Sequence, residues 1–188
     1  MLSCFQRFNV LGNVPKKENG PYVFMFNHAS MFDAFMLGGS IPFYINAIGW
    51  EGIFKWPLWG FFAKRYGAYS ITHDNTHSAI KTLEAAEKIL LQDGDSMILS
   101  PEGQRTITGE LGEFKKGGFH YVKNTNIASI VPVGLKGAFE ANKRTSWKIN
   151  PGNLTVVFGE PILPLDYKEL SVEELRDLTK KRISELLV

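Results

Sequence analysis

Five consecutive apolar residues, Tyr22-Val23-Phe24-Met25-Phe26, constrain this chain more than any other feature in it. The run is short, rich in aromatics and introduced by the turn Asn19-Gly20-Pro21, so it reads as a buried β-strand over 22–26. Comparable strands are expected at 43–48, 68–72, 96–99, 129–134 and 154–158, and helices at 31–39, 51–64, 77–92, 115–124 and 172–187. Strands that alternate with helices argue for an α/β fold: one domain over 1–188, with a mixed, mostly parallel sheet flanked by helices. The last helix has the clearest start. Ser171 caps it, Glu174 completes a capping box, and Leu175, Leu178, Arg182/Ile183 and Leu186 mark a stripe at helical spacing. In sheets of this class, sites collect at the carboxyl ends of strands.

Two segments at such strand ends carry chemistry. The first, Asn27-His28-Ala29-Ser30-Met31-Phe32-Asp33, follows the strand 22–26 directly. A helix starting near Ser30 would use Ser30 as N-cap and Asp33 as the capping-box acid. His28 then sits in the strand-to-helix turn with Asp33 within its reach. Alone, this would be a capping arrangement, but a histidine held by a carboxylate is also the base half of a catalytic triad. No Gly-x-Ser-x-Gly elbow occurs, and the single Cys4 lies in an N-terminal stretch with no structural signature, so the nucleophile is expected to be the substrate's own hydroxyl.

The second segment, Ser100-Pro101-Glu102-Gly103-Gln104-Arg105-Thr106, follows the strand 96–99, itself introduced by the turn Asp93-Gly94-Asp95. An arginine beside a glycine suits an oxyanion such as phosphate: glycine lets the backbone approach, and guanidinium forks two hydrogen bonds onto the oxygens. Glu102 is expected to orient Arg105 or to accept from a substrate hydroxyl. Phe114-Lys115-Lys116-Gly117-Gly118 adds two more cations. Each loop by itself would pass for a solvated surface turn.

Together and in this order, the motifs resemble those of the glycerolipid acyltransferases, specifically the 1-acylglycerol-3-phosphate (lysophosphatidic acid) acyltransferases. His28-x4-Asp33 is similar to their first motif, Pro101-Glu102-Gly103-Gln104-Arg105 to their third, and Val131-Pro132-Val133 to their fourth. The resemblance spans about 7–165, the motif-bearing core. It implies that His28 deprotonates an acceptor hydroxyl and Asp33 fixes its tautomer, while the alkoxide-like oxygen attacks an acyl-CoA or acyl-ACP thioester. It implies that Gly103 and Arg105, with Glu102 in support and Lys115 and Lys116 nearby, hold the acceptor's phosphate. Backbone N–H groups near Gly103 or the helix start are the candidates for the oxyanion hole. No bound cofactor is implied. The second motif departs from the family: Gly49-Trp50-Glu51-Gly52 lacks its lysine, Pro57-Leu58-Trp59-Gly60 keeps Pro-x-x-Gly, and His73 stands where an arginine is expected. The acceptor headgroup therefore stays open. Two further readings stay beside acyl transfer from a thioester: a thioester-independent lipid transacylase or hydrolase using the same dyad, and a non-catalytic lipid-binding module.

Composition bounds the rest. At 188 residues, 44% apolar and 21% charged, the chain can bury one ordinary core. One cysteine excludes an internal disulfide. A net charge of +2 allows attraction to an anionic membrane or carrier protein without arguing for nucleic acid. No run approaches the roughly 18 apolar residues of a spanning helix, and residues 1–14 have no signal-peptide profile. The expected location is peripheral, on the cytoplasmic face of a membrane, either as a natural peripheral enzyme or as a domain of something longer. Trp50, Trp56, Trp59, Phe61 and Phe62, beside Lys55, Lys64 and Arg65, form the expected membrane contact. His73 and His77 have the spacing of a helical zinc pair. Asp74-Asn75-Thr76 reads instead as a turn and cap, and no His-Glu-x-x-His follows, so no metal site is expected.

Overall fold

The computed structural model describes residues 6–50, 60, 61, 69–71, 91 and 94–188. Its centre is a seven-stranded sheet of β1 (Gln6–Leu11), β2 (Tyr22–Phe26), β3 (Ile45–Trp50), β4 (Tyr69–Ile71), β5 (Ser96–Leu99), β6 (Ser129–Lys136) and β7 (Gly152–Phe158), in the order β1-β7-β6-β2-β5-β3-β4. All neighbours run parallel except β6 and β7. The described helices are α1 (Asp33–Ser40), α2 (Gly117–Thr125), α3 (Ala138–Ala141), α4 (Pro164–Tyr167) and α5 (Val172–Leu187). The mixed, mostly parallel sheet with flanking helices expected from the alternation of elements is thus the one observed.

The apolar run of β2 shows why the sheet is covered twice. Its side chains alternate between faces, so Tyr22, Phe24 and Phe26 join one buried cluster while Val23 and Met25 join another. The first cluster lies under α1, through Phe32, Met36 and Leu37, and extends to Val131, Val133, Leu154 and Phe158. The second packs Phe119 and Val122 of α2 and Leu175 and Ile183 of α5 against Met97 and Ile130. A strand buried on both sides needs apolar residues at every position, as parallel sheets generally do.

The long C-terminal helix begins as its sequence dictates. Glu174 N–H donates to Ser171 Oγ at 3.1 Å, and Ser171 N–H donates to Glu174 Oε2 at 2.7 Å. Its buried stripe is Leu175, Thr179 and Ile183, with Arg182 on the outer face. Thr179 is tolerated in the core because its hydroxyl donates to the Leu175 carbonyl at 2.8 Å.

Other boundaries move for identifiable reasons. β3 begins at Ile45 rather than 43, where Ile45 pairs with Ser96 of β5. β1 was not expected. It is an edge strand, paired only with β7, and apart from Gln6 it is mostly exposed, so no apolar pattern announces it. The helices expected at 51–64 and 77–92 fall largely outside the described residues, as do Lys55, Lys64, Arg65, His73 and His77.

At the end of β6, Gly137 has φ +76° and sits against the backbone carbonyl of Asn153. A Cβ there would be strained by the backbone and would collide with an atom that cannot yield. Gly137→Ala is expected to destabilise the fold by about 1–3 kcal/mol, visible as a lower midpoint in urea with an unchanged slope.

Candidate active site

β2 and β5 are adjacent and parallel, with Met25 beside Leu99. The segments that leave their carboxyl ends, 27–33 and 100–106, therefore emerge side by side. Sequence separation of about seventy residues becomes direct contact, and the two motifs form one site.

The His28–Asp33 pair has the geometry of an oriented base. His28 Nδ1 lies 2.6 Å from Asp33 Oδ2, and the same oxygen accepts the backbone N–H groups of Ala29 at 2.8 Å and Ser30 at 3.0 Å. An oxygen that already accepts two N–H donors is an acceptor toward the imidazole as well, so Nδ1 carries the proton and Nε2 keeps the lone pair. Asp33 is 1% exposed whereas the His28 side chain is 30% exposed, so the carboxylate is fixed and the ring can meet a solute. Asp33 Oδ1, also buried, has no hydrogen-bond partner among the described residues.

The helix start differs from the expected capping box. α1 begins at Asp33, preceded by Phe32. Asp33 does accept the Ser30 N–H, but Ser30 Oγ accepts from Phe32 N–H at 3.3 Å rather than from Asp33. Drawing Oδ2 toward His28 and Ala29 as well turns a capping residue into the support of the histidine.

Glu102 does not orient Arg105. Its Oε1 accepts the His28 N–H at 2.8 Å and its Oε2 accepts the Gly112 N–H at 2.8 Å. The Thr106 N–H donates to the His28 carbonyl at 2.8 Å. The 100–106 loop thus grips both backbone groups of His28. Burial pushes the Glu102 carboxyl above its usual range, while the N–H groups of His28 and Gly112 and the nearby imidazole pull it back down. Sequence offers no sign of this arrangement, because each partner of Glu102 lies elsewhere in the chain.

Gly103 has φ +71°, and its N–H donates to the Ser100 carbonyl at 3.2 Å. That bond removes Gly103 as an oxyanion donor. The missing side chain at Gly103 admits Lys115 instead: a Cβ there would meet Lys115 Nζ at 2.9 Å. The Lys115 N–H donates to the Pro101 carbonyl at 2.8 Å, which brings the lysine back over the loop. Lys116 goes elsewhere, because its ammonium pairs with Glu173 of α5 at 2.5 Å. Adjacent residues entering a helix project in different directions, so only one of the two lysines can cover Gly103.

The Arg105 guanidinium has no carboxylate partner among the described residues. Its carbonyl accepts from Arg144 Nη1 at 3.1 Å, and the same nitrogen reaches Gln104 Oε1 at 3.3 Å. Arg144 was not singled out in the sequence, where it is one of many cations. Asn27 braces the first motif from within the fold. Its side-chain amide exchanges two hydrogen bonds with the Leu135 backbone, 3.1 Å as donor and 2.7 Å as acceptor, and locks the first motif to β6.

Among the described residues, no three His, Cys, Asp or Glu side chains gather as metal ligands, and no helix is long and apolar enough to cross a membrane. Of the expected membrane contacts, Phe61 is 64% exposed. Trp56, Trp59 and Phe62 lie outside the described residues, as does the side chain of Trp50.

The chain is similar to known proteins over most of its length. The family model described as "Acyltransferase" matches residues 7–136. The 1-acyl-sn-glycerol-3-phosphate acyltransferase of Cocos nucifera is 30% identical over 85% of this chain and 53% of its own length. The Pseudomonas aeruginosa enzyme of the same name is 24% identical over 96% of this chain and 69% of its own. The chain spans about half the length of most curated relatives it matches. The crystal structure of the 1-acyl-sn-glycerophosphate (LPA) acyltransferase from Thermotoga maritima superposes with a TM-score of 0.80 at 23% identity, covering 97% of this chain and 71% of that one, and so shares its fold. With the family match running from the first strand of the sheet through β6 and taking in both site motifs, the chain belongs to the acyltransferase family.

Proposed function

We propose that the chain transfers a fatty acyl group from an acyl-CoA or acyl-ACP thioester to the free hydroxyl of lysophosphatidic acid or a related lysophospholipid, giving phosphatidic acid or a diacyl phospholipid. The observation that carries this reading is the His28–Asp33 pair, with Nδ1 held and Nε2 available to a solute. His28 takes the proton of the acceptor hydroxyl, whose oxygen attacks the thioester carbonyl. The tetrahedral intermediate collapses with loss of the thiolate, which recovers the proton from the imidazolium. Asp33 stabilises that imidazolium while it exists. No bound cofactor enters this scheme.

Gly103, Arg105 and Lys115 hold the acceptor's phosphate in this proposal, supported by an Arg105 guanidinium without a carboxylate partner among the described residues and by the seating of Lys115 over Gly103. Lys116 contributes less, since Glu173 already neutralises it. Glu102 acts through His28 rather than on substrate. The acceptor comes from a membrane surface, and Trp50, Trp56, Trp59, Phe61 and Phe62 remain a proposed contact with it, at the cytoplasmic face.

Identification of the product by mass tests this function: an acyl thioester plus lysophosphatidic acid should yield phosphatidic acid. Arg105→Ala is expected to raise KM for lysophosphatidic acid by about 10- to 100-fold, the loss of a charge-assisted pair, with a smaller change in kcat. A steady-state series with phosphate-bearing and neutral acceptors checks it. An equal effect on both would separate Arg105 from the phosphate.

A further inference from the structure

The connection between β6 and β7 leaves the carboxyl end of β6, the neighbour of β2, and so rises at the same end of the sheet as His28. It carries Trp147, which is 88% exposed. Exposed single apolar residues are ordinary, but an indole held out on a braced, basic loop is not. Asn142, only 2% exposed, donates its side-chain amide to the carbonyls of Ser146 at 3.0 Å and Lys148 at 3.1 Å, on either side of Trp147. The base of the loop is closed by the Asn150 N–H on the Ala141 carbonyl at 2.8 Å and by the Gln6 amide on the Asn150 carbonyl at 2.5 Å. The backbone around the indole is therefore held while the ring itself stands exposed.

The loop itself is basic. Lys143, Arg144 and Lys148 lie in the stretch 138–149 against the single carboxylate of Glu140, with Lys143 over the Phe139 ring at 5.3 Å, while the Lys136 ammonium turns away to the Val188 carbonyl. Ile149, in the same loop, is 46% exposed, and Ile107, 65% exposed, directly follows the loop that grips His28. The two loops are joined by the bonds of Arg144 to Gln104 and Arg105, and by Phe139, which a Cβ at Gly109 would touch at 2.8 Å.

We propose that Trp147, Ile149 and Ile107, with Lys143 and Lys148, dock the protein on an anionic phospholipid bilayer and set the mouth of the His28 site against the headgroups. An indole suits headgroup depth, having an apolar body and an N–H for the wet side. Each nearby cation adds attraction to an anionic leaflet. None of these residues belongs to the aromatic segment 50–62. The inference rests on the lipid-acylation reading only for the reason a bilayer is needed, and its test involves no turnover.

The full chain is sedimented with vesicles of phosphatidylcholine containing about one third phosphatidylglycerol, and with pure phosphatidylcholine vesicles. Trp147→Ala should weaken partitioning to the anionic vesicles by about an order of magnitude, and Trp147→Phe should retain most of it. The double variant Lys143→Ser/Lys148→Ser should lose about fivefold per cation on the anionic vesicles and nothing on the neutral ones. At 88% exposure, Trp147→Ala should leave the thermal midpoint unchanged, so a loss of binding is not a loss of fold. Unchanged partitioning of Trp147→Ala would overturn the proposal. So would a variant that shifts the sedimentation coefficient of the free protein without altering vesicle binding, since that surface would join two copies of the chain.

Discussion

Replacing His28 with alanine is expected to lower kcat for acyl transfer by about 10²–10⁴-fold, the usual contribution of a positioned general base, with KM for the acceptor nearly unchanged. The side chain is 30% exposed and packs edge-on against Phe26 at 5.8 Å between ring centroids, so its removal should leave the fold intact. Asp33→Asn gives the sharper test because it alters charge with little change in shape. Its amide oxygen can occupy the place of Oδ2 and keep the N–H groups of Ala29, Ser30 and His28. The amide NH2 then takes the place of Oδ1, where no acceptor exists among the described residues. The variant retains the tautomer, loses the stabilisation of the imidazolium, and buries an unsatisfied donor at a cost of about 1–3 kcal/mol. A loss in kcat of about 10²–10⁴-fold is expected, with a lower urea midpoint. Steady-state kinetics and unfolding on the same preparation separate the two effects.

The second large effect is expected at Glu102, a residue that touches the reaction only through the backbone of His28. Glu102→Gln can still accept one N–H through its amide oxygen, but its NH2 must face the other, either from His28 or from Gly112. The expected result is a fall in kcat of about 10²-fold from displacement of the imidazole and a stability loss of about 1.5–3 kcal/mol for a charge-assisted buried bond. If Glu102 instead accepted a bond from the substrate, KM would rise and the folding midpoint would hardly move. The split between kcat and KM, read beside the urea midpoint, decides between these roles.

How far the chain explains itself depends on whether the cause of each feature is local. β2 and β5 are legible because burial on both faces demands unbroken apolar runs. α5 is legible because its capping box lies within four consecutive residues. β1 is hidden, since an edge strand with one neighbour needs no apolar pattern. α3 and α4, at four residues each, make barely one helical turn, too little for an apolar periodicity to show. The His28–Asp33 pair is visible because its partners are five positions apart. The work of Glu102 is not, because His28 approaches it only after β2 and β5 pair. Lys116 fails for the same reason: its partner Glu173 is 57 residues away.

The central claim is that His28, held by Asp33, activates a lysophospholipid hydroxyl against an acyl thioester. Free-thiol release from a long-chain acyl thioester, with and without lysophosphatidic acid, in wild type and His28→Ala, tests it most directly. Release that requires both the acceptor and His28 is the predicted result. Release that needs His28 but ignores the acceptor, or no release from folded wild-type protein, would contradict it.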